Sequence, residues 1–377
     1  MRPSRIAIVA HASLPADPRI RRHAEALRDA GHDVDLIGLR DLGEAEEEIW
    51  NGIRIVRLPV RRTFSGFAGH LAEYLAFAGL ASVRLAVEHR HRRYRVVQVA
   101  TLPDFLAFAA MPVRLTGVPV LLDLHEDMPE FFRDRFASGG LRPLFPIISG
   151  TARVSAAVAD AIITVHEPLR QLAIRRGVPA HRISVVMNSA DERLFDPAGH
   201  PRRAWRADGA LRLVHASSLL PIYGLDTAVE AMARLDSALN AHLDVYGDGP
   251  FRTDVEDAIT RYGADDRVTL HGRVPLDALP DALAAADLAL VPTRPEPYMA
   301  YSLSTKLLEA VAMAVPVIAT DLATVRRHFD RAAIRYVPGA DAPALAAAIE
   351  SLGSDPAAAA AQAAAASEQA RPYAWTS

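Results

Sequence analysis

Ser302-Leu-Ser304-Thr305-Lys306-Leu-Leu-Glu309-Ala-Val-Ala-Met-Ala314-Val315-Pro316-Val317-Ile318-Ala319-Thr320 runs from a helix into a strand with almost nothing between them. Leu307, Leu308, Val311 and Ala312 fall on one helical face. Ser302 or Ser304 can cap the start, and the β-branched run after Pro316 reads as a buried strand. The spacing predicts a helix over 305–314 and a strand over 317–319. Outward from this unit the same pairing repeats. Strands are predicted at 211–215, 242–246, 268–271, 288–291 and 334–337, with helices at 225–234, 251–262 and 279–286. A second series fills the N-terminal half, with strands at 6–9, 34–39, 53–58, 96–100, 118–122, 161–165 and 183–187, and a helix at 20–30 that Gly31 stops. Short strands alternating with longer helices define an α/β chain. We expect two Rossmann-like, doubly wound parallel-sheet domains, with ligand sites at the carboxyl ends of strands facing the cleft between them.

The boundaries follow from composition. Residues 196–209 carry neither period and hold Pro197, Gly199, Pro201 and Gly209, so they read as a linker between domains at 1–195 and 210–354. Residues 355–377 begin as nearly pure Ala, Gln, Ser and Glu, read as a surface helix or frayed tail, and end in Pro372-Tyr-Ala-Trp375, whose aromatic groups anchor the end.

The 377 residues hold 42 basic and 45 acidic side chains, a net charge of -3, so no general positive field recruits nucleic acid. The absence of cysteine excludes disulfides, thiolate metal sites and cysteine nucleophiles. The apolar run before His11 is too short for a secretory leader, and the cytoplasm is expected. The apolar stretch 64–87 is interrupted by His70, Glu73 and Arg84 and is not expected to span a membrane. The basic cluster from Arg90 to Arg95 that follows it reads as a solvated helix end, with peripheral contact at the inner membrane face as the alternative. Oligomeric state is not legible.

Several chemistries are set aside. The single lysine, Lys306, is preceded by Thr305 rather than glycine, so there is no P-loop. His125-Glu126 and His166-Glu167 start like zinc-protease helices, but Pro129 and Arg170 stand where the second histidine belongs, and no metal site is expected. Gly247-Asp-Gly249 reads as a tight turn in preference to half of a dinucleotide fingerprint. What remains is Lys306 and Glu309, three apart on one helical face. An ammonium in the first turn opposes the helix dipole unless an anion binds there. With exposed amides and two hydroxyls it makes a diphosphate cradle, and Glu309 one turn on can accept from two vicinal hydroxyls of a ribose. The alternative, a solvated Lys/Glu pair on an ordinary helix, stands beside it.

At these residues the chain resembles the retaining GT-B glycosyltransferases of family 4. The resemblance runs through Asp17-Pro-Arg19-Ile-Arg21, Gly31-His-Asp-Val34, Leu122-Asp-Leu-His125-Glu126 and Met187-Asn-Ser-Ala-Asp191. It continues in Gly224-Leu-Asp226, Tyr246-Gly-Asp-Gly-Pro250, Arg267-Val-Thr-Leu-His-Gly272-Arg273-Val274, Lys306-Leu-Leu-Glu309 and Pro316-Val-Ile-Ala319. It covers nearly the whole length. It implies a hexosyl residue passing from a nucleoside diphosphate sugar, UDP- or GDP-linked, to an acceptor hydroxyl with retention and without metal or cofactor. The acceptor is a carbohydrate, a lipid-linked sugar or a small molecule. It places the donor on the C-terminal domain, with Glu309 on the ribose and the backbone of Gly272, Arg273 and Val274 on the base. Ser217, Ser218, Tyr223, Gly247, Tyr301, Ser302, Ser304, Thr305 and Lys306 complete the donor site. His125 faces the donor sugar and counts as catalytic with Lys306 and Glu309; its alternative is a capping histidine beside Asp123, Glu126 and Asp127. Asp17, Arg19 and Glu126 fall to the acceptor side, with a surface-arginine reading of Arg19 as the alternative.

The departures are specific. Tyr301 stands where relatives carry a glutamate eight residues before Glu309, and Ser218 and Tyr223 align with an arginine and a lysine that clamp the diphosphate. Ala314 replaces a glycine, so the helix is expected to end without a left-handed glycine cap. Relatives usually continue past the position of Trp375 into a helix that returns to the first domain. A nucleotide-sugar epimerase on the same fold and a catalytically inactive partner protein are the rival functions.

Overall fold

The computed structural model describes residues 3–62, 66–136 and 142–374. They form two units, divided between Met187 and Asn188.

The first unit is an eight-stranded sheet. Its strands are β1 (Arg5–Ser13), β2 (Asp33–Leu39), β3 (Glu47–Trp50), β4 (Ile53–Leu58), β5 (Val96–Ala100), β6 (Val120–Leu124), β7 (Ala161–Thr164) and β8 (Ile183–Val185). Their order is β3-β4-β2-β1-β5-β6-β7-β8. All neighbours are parallel except β3 and β4. Alternate residues of β1 feed two cores: Ala7 and Val9 meet Phe77, Ala81 and Leu85 on one face, while Ile6 and Ile8 meet Ile20 and Ala24 on the other. Burial on both faces is why the parallel strands read as apolar runs. Strand β3, which the sequence reading omitted, is a charged edge strand, joined to β4 by Asn51-Gly52 with both residues at positive φ. That dipeptide is the signature of a tight hairpin.

Helix Phe67–Arg92 crosses the face of this unit. By length and composition it is apolar enough to cross a membrane, which the interruptions at His70, Glu73 and Arg84 were expected to prevent. Its residues Glu73, Phe77, Ala81 and Leu85, spaced four apart, are nevertheless buried on the sheet side. Phe64, the start of the expected apolar stretch, lies outside the described residues.

The second unit is a six-stranded, wholly parallel sheet of β9 (Leu211–Ala216), β10 (Ala241–Tyr246), β11 (Val268–Gly272), β12 (Leu288–Val291), β13 (Val317–Thr320) and β14 (Arg335–Val337). The order is β11-β10-β9-β12-β13-β14. Leu211, Leu213, Leu243 and Val245 pack against Leu225, Val229 and Met232 of the helix Leu225–Arg234 in one hydrophobic core. The helix Thr305–Ala312 leads into β13 through a left-handed residue, as such helices commonly do, but that residue is Ala314 at φ +52° rather than glycine.

Two stretches are more ordered than their composition suggested. Residues 196–209, read as a linker, are tied into the second unit. Arg202 donates to the carbonyls of Ala314 (2.7 Å) and Ala286 (3.0 Å), and the Arg206 amide donates to the buried Asp287 at 3.1 Å. The alanine-rich segment forms the helix Pro356–Ala370, capped by Asp355, with Ala359, Gln362, Ala363 and Ala366 buried. Its small residues let it lie close against the helix Thr305–Ala312, and Gln362 donates to the carbonyl of Val317 at 2.8 Å. It is a packed helix and not a frayed tail. Tyr373 beyond it sets its ring edge-on to His328 at 5.2 Å; Trp375 lies outside the described residues.

In each sheet the strand order reverses at one place, between β1 and β5 and between β9 and β12. A crevice forms where connections leave in opposite directions, so these ends are where a ligand can enter.

Candidate functional site

In the second unit the loops after β9 and β12 flank the reversal. The loop after β9 holds Ser217, Ser218 and Tyr223, and the loop after β12 leads through Tyr301, Ser302 and Ser304 to Lys306. Three close approaches fix this corner. A Cβ on Gly247 would fall inside the carbonyl of Ser217, one on Gly249 inside that of Leu219, and one on Gly224 inside that of Pro292. The turn after β10 therefore reads as a tight turn whose glycines let backbone meet backbone. Gly247 also donates its amide to the carbonyl of Gly272 at 2.7 Å, which brings the end of β11, with Arg273 exposed and Val274 half-buried, beside the same corner.

Ser304 occupies the N-cap of the helix Thr305–Ala312, yet its hydroxyl makes no capping bond. The expected serine cap is absent, and the first-turn amides keep their capacity to bind an anion. The Lys306 ammonium lies 3.2 Å from the centre of the Tyr223 ring. Burial pushes its pKa down to about 7, against the pull of Glu309 on the same face. Behind it, the buried His215 shares hydrogen bonds with Ser217 Oγ (2.8 Å) and the Leu290 carbonyl (2.9 Å). Burial, and then the nearby Lys306, bring that imidazole down to about 4, so it is neutral. His215 was missed in the sequence because it ends a buried strand like any core residue. Arg294, also missed, donates its backbone amide to Ile222 at 2.8 Å and pairs with Asp226. These groups form one cradle: a cation, open amides, hydroxyls and, one turn on, a carboxylate.

In the first unit the reversal point gathers Asp17, Arg19, His125 and Glu126. Asp17 caps the helix Pro18–Asp29, accepting from the amides of Arg19 (3.0 Å) and Ile20 (3.2 Å). Burial disfavours its charge, but Arg19, the Ile20 amide and His125 outweigh that and lower its pKa. Arg19 is likewise raised by Asp17 and Glu126 against the cost of burial. His125 is buried, with Nε2 2.9 Å from Asp123 Oδ2. His23 Nδ1 lies 3.2 Å from the same oxygen, and Gln98 donates to it at 2.9 Å. Burial works against the Asp123 carboxylate, yet His125 and His23 hold it well below the usual range. His23 and Gln98 carry no motif; only the fold brings them to Asp123. At the end of β1, His11 Nε2 lies 2.9 Å from Glu73, both buried, and burial takes His11 down to about 4.

Residues 16–189 match the glycosyl transferase 4-like domain, and residues 210–355 match glycosyl transferases group 1. A 2-deoxystreptamine glucosyltransferase of Streptomyces kanamyceticus is 27% identical over 320 residues, covering 80% of this chain and 79% of that one. Among solved structures, sucrose-phosphate synthase from Thermosynechococcus elongatus gives a TM-score of 0.79 at 20% identity, covering 98% of this chain and 94% of that one. Anabaena HepE, solved in complex with UDP-glucose, gives 0.72 at 17% identity, covering 99% and 96%. The architecture is that of the GT-B fold. The chain belongs to the glycosyltransferases of the group 1, family 4 type.

Proposed function

We propose that the protein transfers a hexosyl residue from a nucleoside diphosphate sugar to an acceptor hydroxyl in the cytoplasm, with retention and without a metal ion. The donor binds the second unit and the acceptor the first. The observation that carries this reading is Lys306 at the uncapped start of the helix Thr305–Ala312, with Glu309 one turn further on. As the bond from the anomeric carbon to the β-phosphate oxygen breaks, negative charge grows on the departing diphosphate. A fixed ammonium and open amides stabilise that charge more than they stabilise the bound donor. The acceptor oxygen bonds the anomeric carbon on the same face, and its proton leaves with the diphosphate. Glu309 accepts hydrogen bonds from the ribose hydroxyls. Support for a UDP-sugar comes from HepE, crystallised with UDP-glucose; a GDP-sugar is the other donor to assay.

The test is nucleoside diphosphate release from a panel of UDP-, GDP-, ADP- and TDP-sugars, with product configuration read by NMR and a chelator control. Lys306→Ala and Glu309→Ala are each expected to lower kcat/KM by about a hundredfold or more. Unchanged turnover in both would remove the assignment. An inverted product would remove retention, and inactivation by chelator would remove metal independence.

A further inference from the structure

Helix Phe67–Arg92 turns one stripe inward and, among the described residues, leaves the other exposed. On its outer side Leu71, Leu75, Leu80, Val83 and Val87 are exposed, Val83 by 63% and Leu75 by 55%, with small residues between them. A surface helix ordinarily carries charge there. Here the charged side chains of this stretch are drawn elsewhere: Glu73 goes inward to His11, and Arg84 and Glu88 join a network with Glu47 and Arg54. The outer face is therefore uncharged over most of a helix about 39 Å long, at 1.5 Å per residue. In the segment that packs beside this helix, Leu115 is also exposed, by 80%. Contiguous apolar surface of this kind marks a partner.

The charges at its ends decide which partner. Arg90, His91, Arg93 and Arg95 are exposed at the C-terminal end, and Arg61 and Arg62 are exposed ahead of the N-terminal end. A second copy laid along the stripe, in either direction, sets cations against cations. An anionic lipid surface meets both features at once, taking leucine and valine into the acyl boundary and the guanidinium groups at its phosphates. We propose that this face docks the protein in the plane of an anionic membrane. The helix lies in the interface and does not span it, because Phe77, Ala81 and Leu85 belong to the core of the unit.

The experiment is co-sedimentation of the full-length protein with vesicles of phosphatidylcholine alone or with about one-third phosphatidylglycerol, at low and high salt. The expected result is pelleting with anionic vesicles, weakened by salt, and little with neutral ones. Leu75→Glu combined with Val83→Glu is expected to lower the partition coefficient at least about tenfold. Arg90→Glu with Arg93→Glu should lower it to a similar degree and remove the salt sensitivity. All four positions are exposed, and circular dichroism with thermal melting checks that the variants fold. Failure to pellet with anionic vesicles, or pelleting that neither variant changes, overturns the proposal. So does light scattering that shows a stable dimer converted to monomer by the Leu75/Val83 variant, which would make the stripe an interface between copies.

Discussion

Lys306 lies in the first turn of the helix Thr305–Ala312 and Tyr223 in the loop after β9, and the ammonium of one rests on the ring face of the other at 3.2 Å. Where the resemblance leads one to expect a lysine, Tyr223 supplies an aromatic seat, and the cation comes from the neighbouring helix. A partly desolvated pair of this kind is worth about 0.5–2 kcal/mol. Tyr223→Leu should therefore weaken donor binding by about tenfold, with Tyr223→Phe close to the parent protein. Equal donor affinity in the Leu and Phe variants, measured by calorimetry, would show that the ring does not hold the cation.

Burial brings Lys306 down to about 7, so its charge changes near neutrality. In the unliganded protein the ammonium forms as pH falls below that value, so donor affinity should decline as pH rises above it. Lys306→Arg, charged throughout, should flatten the profile. The stability effect has the opposite sense. The unfolded lysine titrates near 10.4, so between about 7 and 10.4 the unfolded chain binds the extra proton, and this group makes the free protein more stable as pH rises. Saturating nucleotide should cancel that slope, which urea titrations across the window can read.

Gly247 and Gly31 both have positive φ, +134° and +86°, but only Gly247 has backbone where a Cβ would go. Gly31→Ala should cost about 1–2 kcal/mol, from strain alone. Gly247→Ala must also push the Ser217 loop aside, so its loss should exceed that of Gly31→Ala and be joined by weaker donor binding. Melting temperatures and donor affinities of the two variants separate strain from displacement.

The alternation of apolar runs with helical stretches was legible because strands buried on both faces admit few polar residues, and β4, β5 and β12 begin and end where the pattern placed them. Strand β3 was not, since the edge strand Glu47, Glu48, Ile49 and Trp50 reaches the core through the half-buried Trp50 and is otherwise charged or exposed; Asn51-Gly52 is the signal that betrays it. Lys306 and Glu309 were legible as a pair because they are neighbours on one helix. Tyr223 beneath Lys306, and His23 beside Asp123, depend on loops and helices far apart in sequence, and no spacing rule reaches them. The alanine-rich segment was legible as a helix, with a frayed tail as the alternative, but its packing was not legible. Alanine buries little area per residue, yet close approach and the single Gln362 bond fix it in place.

That bond is testable. Gln362 is buried and donates to the carbonyl of Val317, where β13 begins. Gln362→Leu keeps the bulk but leaves the carbonyl without that donor, and should destabilise the protein by about 1–3 kcal/mol. Gln362→Glu should cost more, since a carboxylate would face a carbonyl. If both variants unfold at the parent's urea midpoint, the helix Pro356–Ala370 is a surface appendage after all.

Asp123 is almost fully buried between His23 and His125, and its carboxyl is held well below the usual range despite the cost of burial. A depressed carboxylate contributes stability that is present above the unfolded value near 3.9 and is lost as pH falls through the folded one. Asp123→Asn removes the charge while keeping the shape. Breaking such a buried pair should cost about 3 kcal/mol at pH 7, with the gap to the parent protein narrowing steadily below about pH 4. The same substitution frees the His125 ring to turn, so kcat should fall even at saturating donor, as expected when an oriented imidazole loses its partner. Urea midpoints at pH 7 and pH 3 decide the electrostatic part: an equal gap at both would mean that the imidazoles hold Asp123 by shape and hydrogen bonding, without charge.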